Sequence, residues 1–413
     1  MEAQVQSSMC GISAIIYGPS RDVQDLQDVL RMHQALQHRG PDGEGFLLVS
    51  ATLQTRLLTR PLSAHDIRTP PPKCAVAFRR LRIQDRRQEA DQPLARRAGR
   101  LWIALNGEIY NFKELRQTLK HAGCVFHTNS DTEVALAAYE YWGTACFEKF
   151  NGMWALLIVD LDRARLIGSR DRLGIKPLFY ALESGRLLFA SEPQALAAVL
   201  QTGATIEPYR LREFLRGFPP QSAAMSFFAD IHPVPSATFF ELDLSNPQVS
   251  APTFQRFWDL AKYVQPDRAI PAFPQARDEL AGLLQSAVAY ERVADVPVGS
   301  LLSGGLDSSL LTRLLALSSP REAKPPPTFS LVYDDPAMDE SAYIAAVRGM
   351  GGVDSHLQKL SPSHAWTLVD QVVETQGEPL LGYDLLAQYH VYQVARAHGV
   401  MVILDGQGAD ELL

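Results

Sequence analysis

Few architectures accommodate the septet Ser303-Gly304-Gly305-Leu306-Asp307-Ser308-Ser309 in its setting, between an apolar strand-like run at 297–302 and a helical pattern that continues to Leu317. Glycines at a strand-to-helix junction let the backbone approach a ligand closely. The unpaired N–H groups that open the helix then form a nest for an anion. Ser303, Ser308 and Ser309 add hydroxyl donors, and Asp307 can hold Mg2+ against phosphate oxygens. A Gly-Ser turn that merely caps a helix is the alternative, but the whole septet after an apolar strand favours a phosphate cradle. It is not a Walker A loop, because the spacing differs and no lysine precedes the serines.

The surrounding pattern agrees with such a cradle. A helical pattern over 277–294 precedes the septet; a strand at 328–333, a helix at 340–350 and a strand at 400–404 follow it. Alternating strands and helices specify a parallel sheet covered by helices on both faces. The N-terminal half reads differently. CGISAIIYG, RLWIALNGEIY, MWALLIVDL and RLLFAS are strands by period and β-branched content, and helical spacing occupies 26–36 and 131–141. Ser130 followed by Glu133 is a capping-box signature for the second of these helices. The implied domain is strand-rich, layered and α+β. Between the halves, 218–274 is proline-rich with a short strand at 238–242, and reads as the end of one domain and a connection. A chain of 413 residues requires more than one core in any case.

Composition excludes several classes. A net charge of −7 with interspersed signs does not suit a nucleic-acid binder, which needs clustered cations. No apolar run approaches the roughly 20 residues that span a bilayer. The first residues lack the apolar core of a signal peptide. Cys10, Cys74, Cys124 and Cys146 show neither zinc-site spacing nor disulfide-scaffold density. A cytoplasmic enzyme is expected.

The septet resembles the PP-loop of the ATP pyrophosphatases, which cleave ATP to AMP and pyrophosphate while adenylating an acceptor. Upstream, Cys10-Gly11-Ile12, His38-Arg39-Gly40-Pro41-Asp42-Gly43, Asn106-Gly107-Glu108-Ile109-Tyr110-Asn111 and Ser130-Asp131-Thr132-Glu133 occur in the order of class II glutamine amidotransferase domains. Arg170-Asp171-Arg172-Leu173-Gly174-Ile175-Lys176-Pro177-Leu178 completes that series. Together with the PP-loop, the chain resembles the asparagine synthetase B family from Cys10 to Leu413. The resemblance implies an N-terminal-nucleophile glutaminase domain of four layers, α/β/β/α, over 10–215, and a connecting region over 216–270. An α/β parallel-sheet PP-loop domain of the adenine nucleotide alpha hydrolase type follows over 271–413. This last domain is expected to be C-terminally truncated, since the family continues beyond the final motif with a helical segment.

The family chemistry assigns roles. A thiol with a pKa near about 8.5 needs a base to attack an amide. In this family the nucleophile's own α-amine serves, so Cys10 is expected to become the first residue through a start at Met9 or removal of a propeptide. Arg80, in Arg80-Leu81-Arg82-Ile83-Gln84-Asp85, would grip the α-carboxylate of glutamine through a charge-assisted fork. Asp131 would hold the α-ammonium, with Glu108 beside it. The Asn106 side chain and the Gly107 N–H would form the oxyanion hole.

For ATP, the resemblance implicates Leu302, Ser303, Gly304, Gly305, Asp307, Ser308, Ser309, Leu331, Asp405 and Gly406, with Mg2+ on Asp307 and Asp410. The family motif S-G-E-G-x-D-E stands here as Asp405-Gly406-Gln407-Gly408-Ala409-Asp410-Glu411, so Gln407 replaces a glutamate at the adenylate-forming site. The implied reaction is ATP-dependent amidation of L-aspartate, or a related carboxylate, with ammonia from L-glutamine. A tailoring amide synthetase for another carboxylate and a non-catalytic or glutaminase-only remnant stay open, as does a homodimer. Neither nucleic acid nor a membrane is an expected partner.

Overall fold

The computed structural model describes residues 9–19, 24–63, 66, 72–217, 225–264, 271–319, 324–380 and 382–409. The chain divides into two compact units, one spanning 4–264 and the other 265–413.

Among the described residues, the N-terminal unit contains strands β1 (Gly11–Tyr17), β2 (Gly43–Val49), β3 (Thr55–Leu58), β4 (Cys74–Arg80), β5 (Leu94–Arg96), β6 (Leu101–Ile109) and β7 (Gly152–Asp160). They continue with β8 (Arg165–Arg170), β9 (Phe179–Glu183), β10 (Arg186–Ala190), β11 (His232–Pro233), β12 (Thr238–Asp243) and β13 (Gln255–Arg256). One sheet has the order β11-β9-β10-β1-β4-β2-β3, and a second has β13-β12-β8-β7-β6-β5. Every pairing between named strands in the two sheets is antiparallel.

The two-residue period of β1 explains the layering. Ile12, Ala14 and Ile16 point at the second sheet and pack with Trp102, Ala104, Ala155, Leu157 and Phe240. Ile15 and Tyr17 point the other way, onto Leu26, Val29 and Met32 of helix α1 (Gln24–Ala35). On the second sheet, helix α3 (Asp131–Trp142) packs against β6 and against helix α2 (Phe112–His121). The result is the α/β/β/α sandwich that the sequence implied. The stretch expected to be connecting contributes β12, which pairs with β8 along its whole length. The N-terminus of α3 also refines the capping-box expectation. Ser130 Oγ accepts the Glu133 N–H at 3.2 Å, but the Glu133 carboxylate accepts the N–H groups of His127 and Thr128 rather than that of Ser130.

The C-terminal unit has strands β14 (Val298–Leu301), β15 (Pro327–Val332), β16 (Asp354–Lys359) and β17 (Val402–Leu404), all parallel, in the order β16-β15-β14-β17. Helices α4 (Phe273–Glu291), α5 (Leu306–Ser318), α6 (Ser341–Gly349) and α7 (Asp384–Ala397) accompany them. Phe329 packs against Val391 and Ala395 of α7, whereas Leu302 packs against Ile344 and Val347 of α6, so helices cover both faces. Among the described residues no helix is long and apolar enough to cross a membrane.

One contact between the two antiparallel sheets is tight enough to test. Phe240 stacks on Phe189 with centroids 5.0 Å apart, and a Cβ at Gly168 would run into the Phe240 ring. Gly168→Ala should therefore destabilise the chain by about 1–3 kcal/mol through overpacking, measured by urea unfolding. Adding Phe240→Leu should recover part of that loss.

Candidate functional site

Cys10 sits immediately before β1, whose register is fixed by β10 on one side and β4 on the other. Its carbonyl oxygen accepts the Arg39 Nε–H at 2.9 Å, and Arg39 Nη1 donates to Glu192 at 2.7 Å. His38 reaches the same carboxylate at 2.9 Å. The segment from His38 to Gly43 thus holds the start of β1 in place, aided by the Asp42 carboxylate, which accepts the Arg82 N–H at 2.9 Å. Cys10 Sγ accepts the Leu81 N–H at 3.3 Å. Burial pushes the thiol up, opposed by that N–H and by the nearby cations Arg80, Lys176 and Arg39.

The thiol opens into a cavity also lined by Arg80, Asn106, Gly107, Glu108, Asp131 and Lys176. The structure therefore brings together all the residues that the sequence assigned to glutamine. Asn106 is 1% exposed, and its Nδ2 has no hydrogen-bond partner among the described residues. Such an orphan donor beside a buried thiol is the equipment for holding an oxyanion. Gly107 has φ +147°, and a Cβ there would overlap the Met153 carbonyl oxygen on β7. Only glycine fits at this close approach. Asp131 Oδ2 accepts the Ile109 N–H at 2.9 Å and Oδ1 accepts the Thr132 N–H at 2.8 Å. Burial nonetheless raises its pKa, so a cation placed against it would relieve an unfavourable charge.

Arg80 departs from the expectation of a free fork. Its Nη1 donates to the Arg87 carbonyl and the Asp91 carboxylate, and its Nη2 to the carbonyls of Gln84 and Asp85. All four terminal N–H groups are committed to the loop after β4. A substrate carboxylate would have to displace one of these partners, and Asp91, which Arg82 also holds, is the one of like chemistry.

Sequence reasoning gave Lys176 no role, although it lies in the quoted run from Arg170 to Leu178. The Asp171 carboxylate accepts the N–H groups of Trp154, Leu173, Ile175 and Lys176, while the Arg170 guanidinium donates to the carbonyls of Gly174, Lys176 and Val234. These bonds shape the turn that delivers Lys176 to the cavity, where its ammonium contacts Met9 Sδ at 3.2 Å. Burial and Arg39 lower the Lys176 pKa. Gln92, also unforeseen, lines the cavity and exchanges hydrogen bonds with Leu105 on β6.

In the C-terminal unit the septet follows β14 and opens α5, as read from the sequence. Ser303 and Ser308 hydroxyls lie 2.9 Å apart, and the Gly305 N–H donates to Ser303 Oγ at 3.3 Å. Gly304 has φ +97°, a conformation that suits glycine. A Cβ at Gly406 would stand 2.9 Å from Ser308 N and 3.1 Å from Asp307 C, so the loop after β17 lies directly on the start of α5. Ser303, Gly304, Gly305, Asp307, Ser308 and Ser309 are thereby joined to Asp405 and Gly406 at the carboxyl ends of neighbouring parallel strands, where ligands bind in open α/β sheets. Leu302 and Leu331 stand at the ends of β14 and β15 with their side chains turned into the core. Their side chains lie in different core clusters, Leu302 with Ile344 and Leu331 with Phe329. Asp410 lies outside the described residues.

The glutamine amidotransferase domain family model matches residues 61–258, a span that includes Arg80, Asn106, Asp131 and Lys176 and begins after Cys10. The asparagine synthase family model matches 279–413. Asparagine synthetase (glutamine-hydrolyzing) 1 of Bacillus subtilis is 29% identical over 408 residues, 98% of this chain and 58% of that protein. Asparagine synthetase (glutamine-hydrolyzing) 3 of the same organism is 31% identical over 333 residues, 79% of this chain and 48% of that one. The chain thus spans about half the length of these two relatives. A solved glutamine phosphoribosylpyrophosphate amidotransferase from B. subtilis aligns over 92% of each chain at 17% identity with a TM-score of 0.45, a likeness too loose to carry any inference.

A buried donor without a partner costs free energy, so its removal should weaken the fold only slightly. Asn106→Ala should lower stability by less than about 1 kcal/mol in urea unfolding, because lost packing is offset by relief of the unsatisfied amide. A larger loss would mean that Nδ2 is bonded.

Proposed function

Because this chain joins a glutamine amidotransferase domain to an asparagine synthase domain, in a relative of the glutamine-hydrolysing asparagine synthetases, we propose that it amidates L-aspartate with ammonia from L-glutamine at the expense of ATP. The observation that carries the glutaminase half is the single cavity shared by the Cys10 thiol, the orphan amide of Asn106 and the Asp131 carboxylate. Glutamine enters with its α-ammonium at Asp131 and its α-carboxylate at Arg80, exchanging for one of the loop's own acceptors. Removal of the residues before Cys10 frees an α-amine to take the thiol proton. The sulfur then attacks the side-chain amide carbon, the oxyanion is held by Asn106 Nδ2 and the Gly107 N–H, and the proton leaves with ammonia as the thioester forms. Water hydrolyses the thioester to glutamate.

In the second half, ATP is the co-substrate. The serine hydroxyls and N–H groups of the septet receive its phosphates, with Asp405 and Gly406 closing the cradle. The aspartate side-chain carboxylate attacks the α-phosphorus and pyrophosphate departs, after which ammonia displaces AMP from the acyl-adenylate. Mg2+ suits the donor set, since the Asp307 carboxylate is a hard oxygen ligand in the first turn of α5; bound there and by Asp410, it would neutralise phosphate charge. Domain limits at 10–215 and 271–413, with 216–270 between them, and a cytoplasmic setting without nucleic-acid partners belong to the same reading. Gln407 supports a second reading, amidation of a carboxylate other than aspartate, because the amide lacks the charge of the family glutamate.

Pyrophosphate release with ATP, Mg2+ and ammonium chloride should depend on added aspartate. If another carboxylate alone elicits release, the second reading replaces the first; if none does, the synthetase assignment fails. Cys10→Ala should abolish glutamine-dependent activity while ammonia-dependent activity survives, and equal loss of both would contradict this division of labour.

A further inference from the structure

Helix α7 carries Gln388 and Tyr392 one turn apart, and both meet the loop after β17. Gln388 Nε2 lies 3.3 Å from Asp405 Oδ2, 3.0 Å from Gln407 Oε1 and 2.9 Å from Tyr392 Oη. The backbone N–H of Gln407 donates to Asp405 Oδ1 at 3.3 Å. Burial and the adjacent Asp405 carboxylate push the Tyr392 phenol up to about 12, which keeps it a donor to that carboxylate.

The chemistry of these partners allows one arrangement of the two amides. A carboxylate accepts hydrogen bonds and donates none. The Gln388 atom facing Asp405 is therefore its NH2, whose two N–H groups are shared among Asp405, Gln407 and Tyr392. The Gln407 atom opposite it must be the carbonyl oxygen, which leaves the Gln407 NH2 turned away from the network. Gln407 is exposed, and its neighbour Gly406 lies on the first turn of α5, so the residue adjoins the septet.

We propose that Gln388, held by Asp405 and Tyr392, is a positioning residue that locks Gln407 with its NH2 outward, so that the site meets its acceptor substrate with a neutral hydrogen-bond donor and binds a carbonyl or carboxylate oxygen there. The proposal rests on the amide-forming reading above and deepens it. The family glutamate offers acceptor oxygens at the same position; Gln407, so oriented, reverses the polarity of the contact. Acceptors are then selected by an oxygen at this point rather than by an ammonium.

Gln407→Glu tests this with little change of shape, since it keeps the oxygen that faces Gln388 and replaces only the outward donor by a charged acceptor. In pyrophosphate release with ATP, Mg2+, ammonium chloride and L-aspartate, the acceptor KM should rise roughly tenfold or more, the worth of one lost hydrogen bond, while the ATP KM holds. An unchanged or improved acceptor KM overturns the proposal. The positioning half has its own readout, a double-mutant cycle on urea unfolding of the full chain with Gln388→Leu and Gln407→Ala. Gln388→Leu should destabilise the Gln407→Ala background less than the unsubstituted chain, and strictly additive effects overturn the lock. If the unsubstituted chain releases no pyrophosphate with any carboxylate, the amide-forming reading fails and takes the recognition claim with it, whereas the cycle still sustains or overturns the lock itself.

Discussion

A strand buried on both faces cannot slip. β1 lies between β4 and β10 with Ile12, Ala14 and Ile16 committed to the facing sheet and Ile15 and Tyr17 committed to α1. A shift of one residue would exchange the two sets, so the register is set by the whole sandwich core. Cys10 is the first residue beyond that strand, and its position follows from the register, with the Leu81 N–H bond to its sulfur as an addition. The other wall of the cavity is fixed by the same logic, because Asn106 and Gly107 lie on β6, paired residue by residue with β7. The chemistry is thus positioned by two antiparallel sheets pressed together, and the polar contacts of Arg39, Glu192 and Asp171 trim what packing has already placed.

Legibility in the sequence followed burial and length. β1, β6 and β7 are long and apolar, and their reading as strands needed no tertiary information. α3 announced itself through Ser130 and Glu133, although the reach of the Glu133 carboxylate to His127 and Thr128 depends on how the preceding chain turns back. β16 carries Asp354, His356, Gln358 and Lys359 at the edge of its sheet, and such a strand looks like a loop because an edge has little apolar face to fill. β11 and β13 are two residues each, below the length at which any period shows.

The site shows the same division. Residue types in a fixed order singled out Cys10, Asn106, Gly107 and Asp131, because the task proposed for each suits few residue types. The sequence could not reveal that the Arg80 fork is occupied, since three of its partners are main-chain carbonyls, which every residue possesses. Lys176 was hidden inside a run whose other members shape its turn. Gln388 lies nineteen positions before Gln407 on a helix that carried no motif, and only the docking of α7 beside β17 gives it meaning.

The contact between Gly406 and the first turn of α5 has a kinetic side. The cradle is divided between segments about a hundred residues apart, and its second wall exists only when β17 has paired with β14. A nucleotide that needs both walls has little affinity for a chain in which the strand is undocked, so it stabilises the pairing of β17 with β14 by mass action alone. During synthesis the septet emerges long before its counterpart. A ligand bound across both walls would then act late, rewarding β17 for docking against β14.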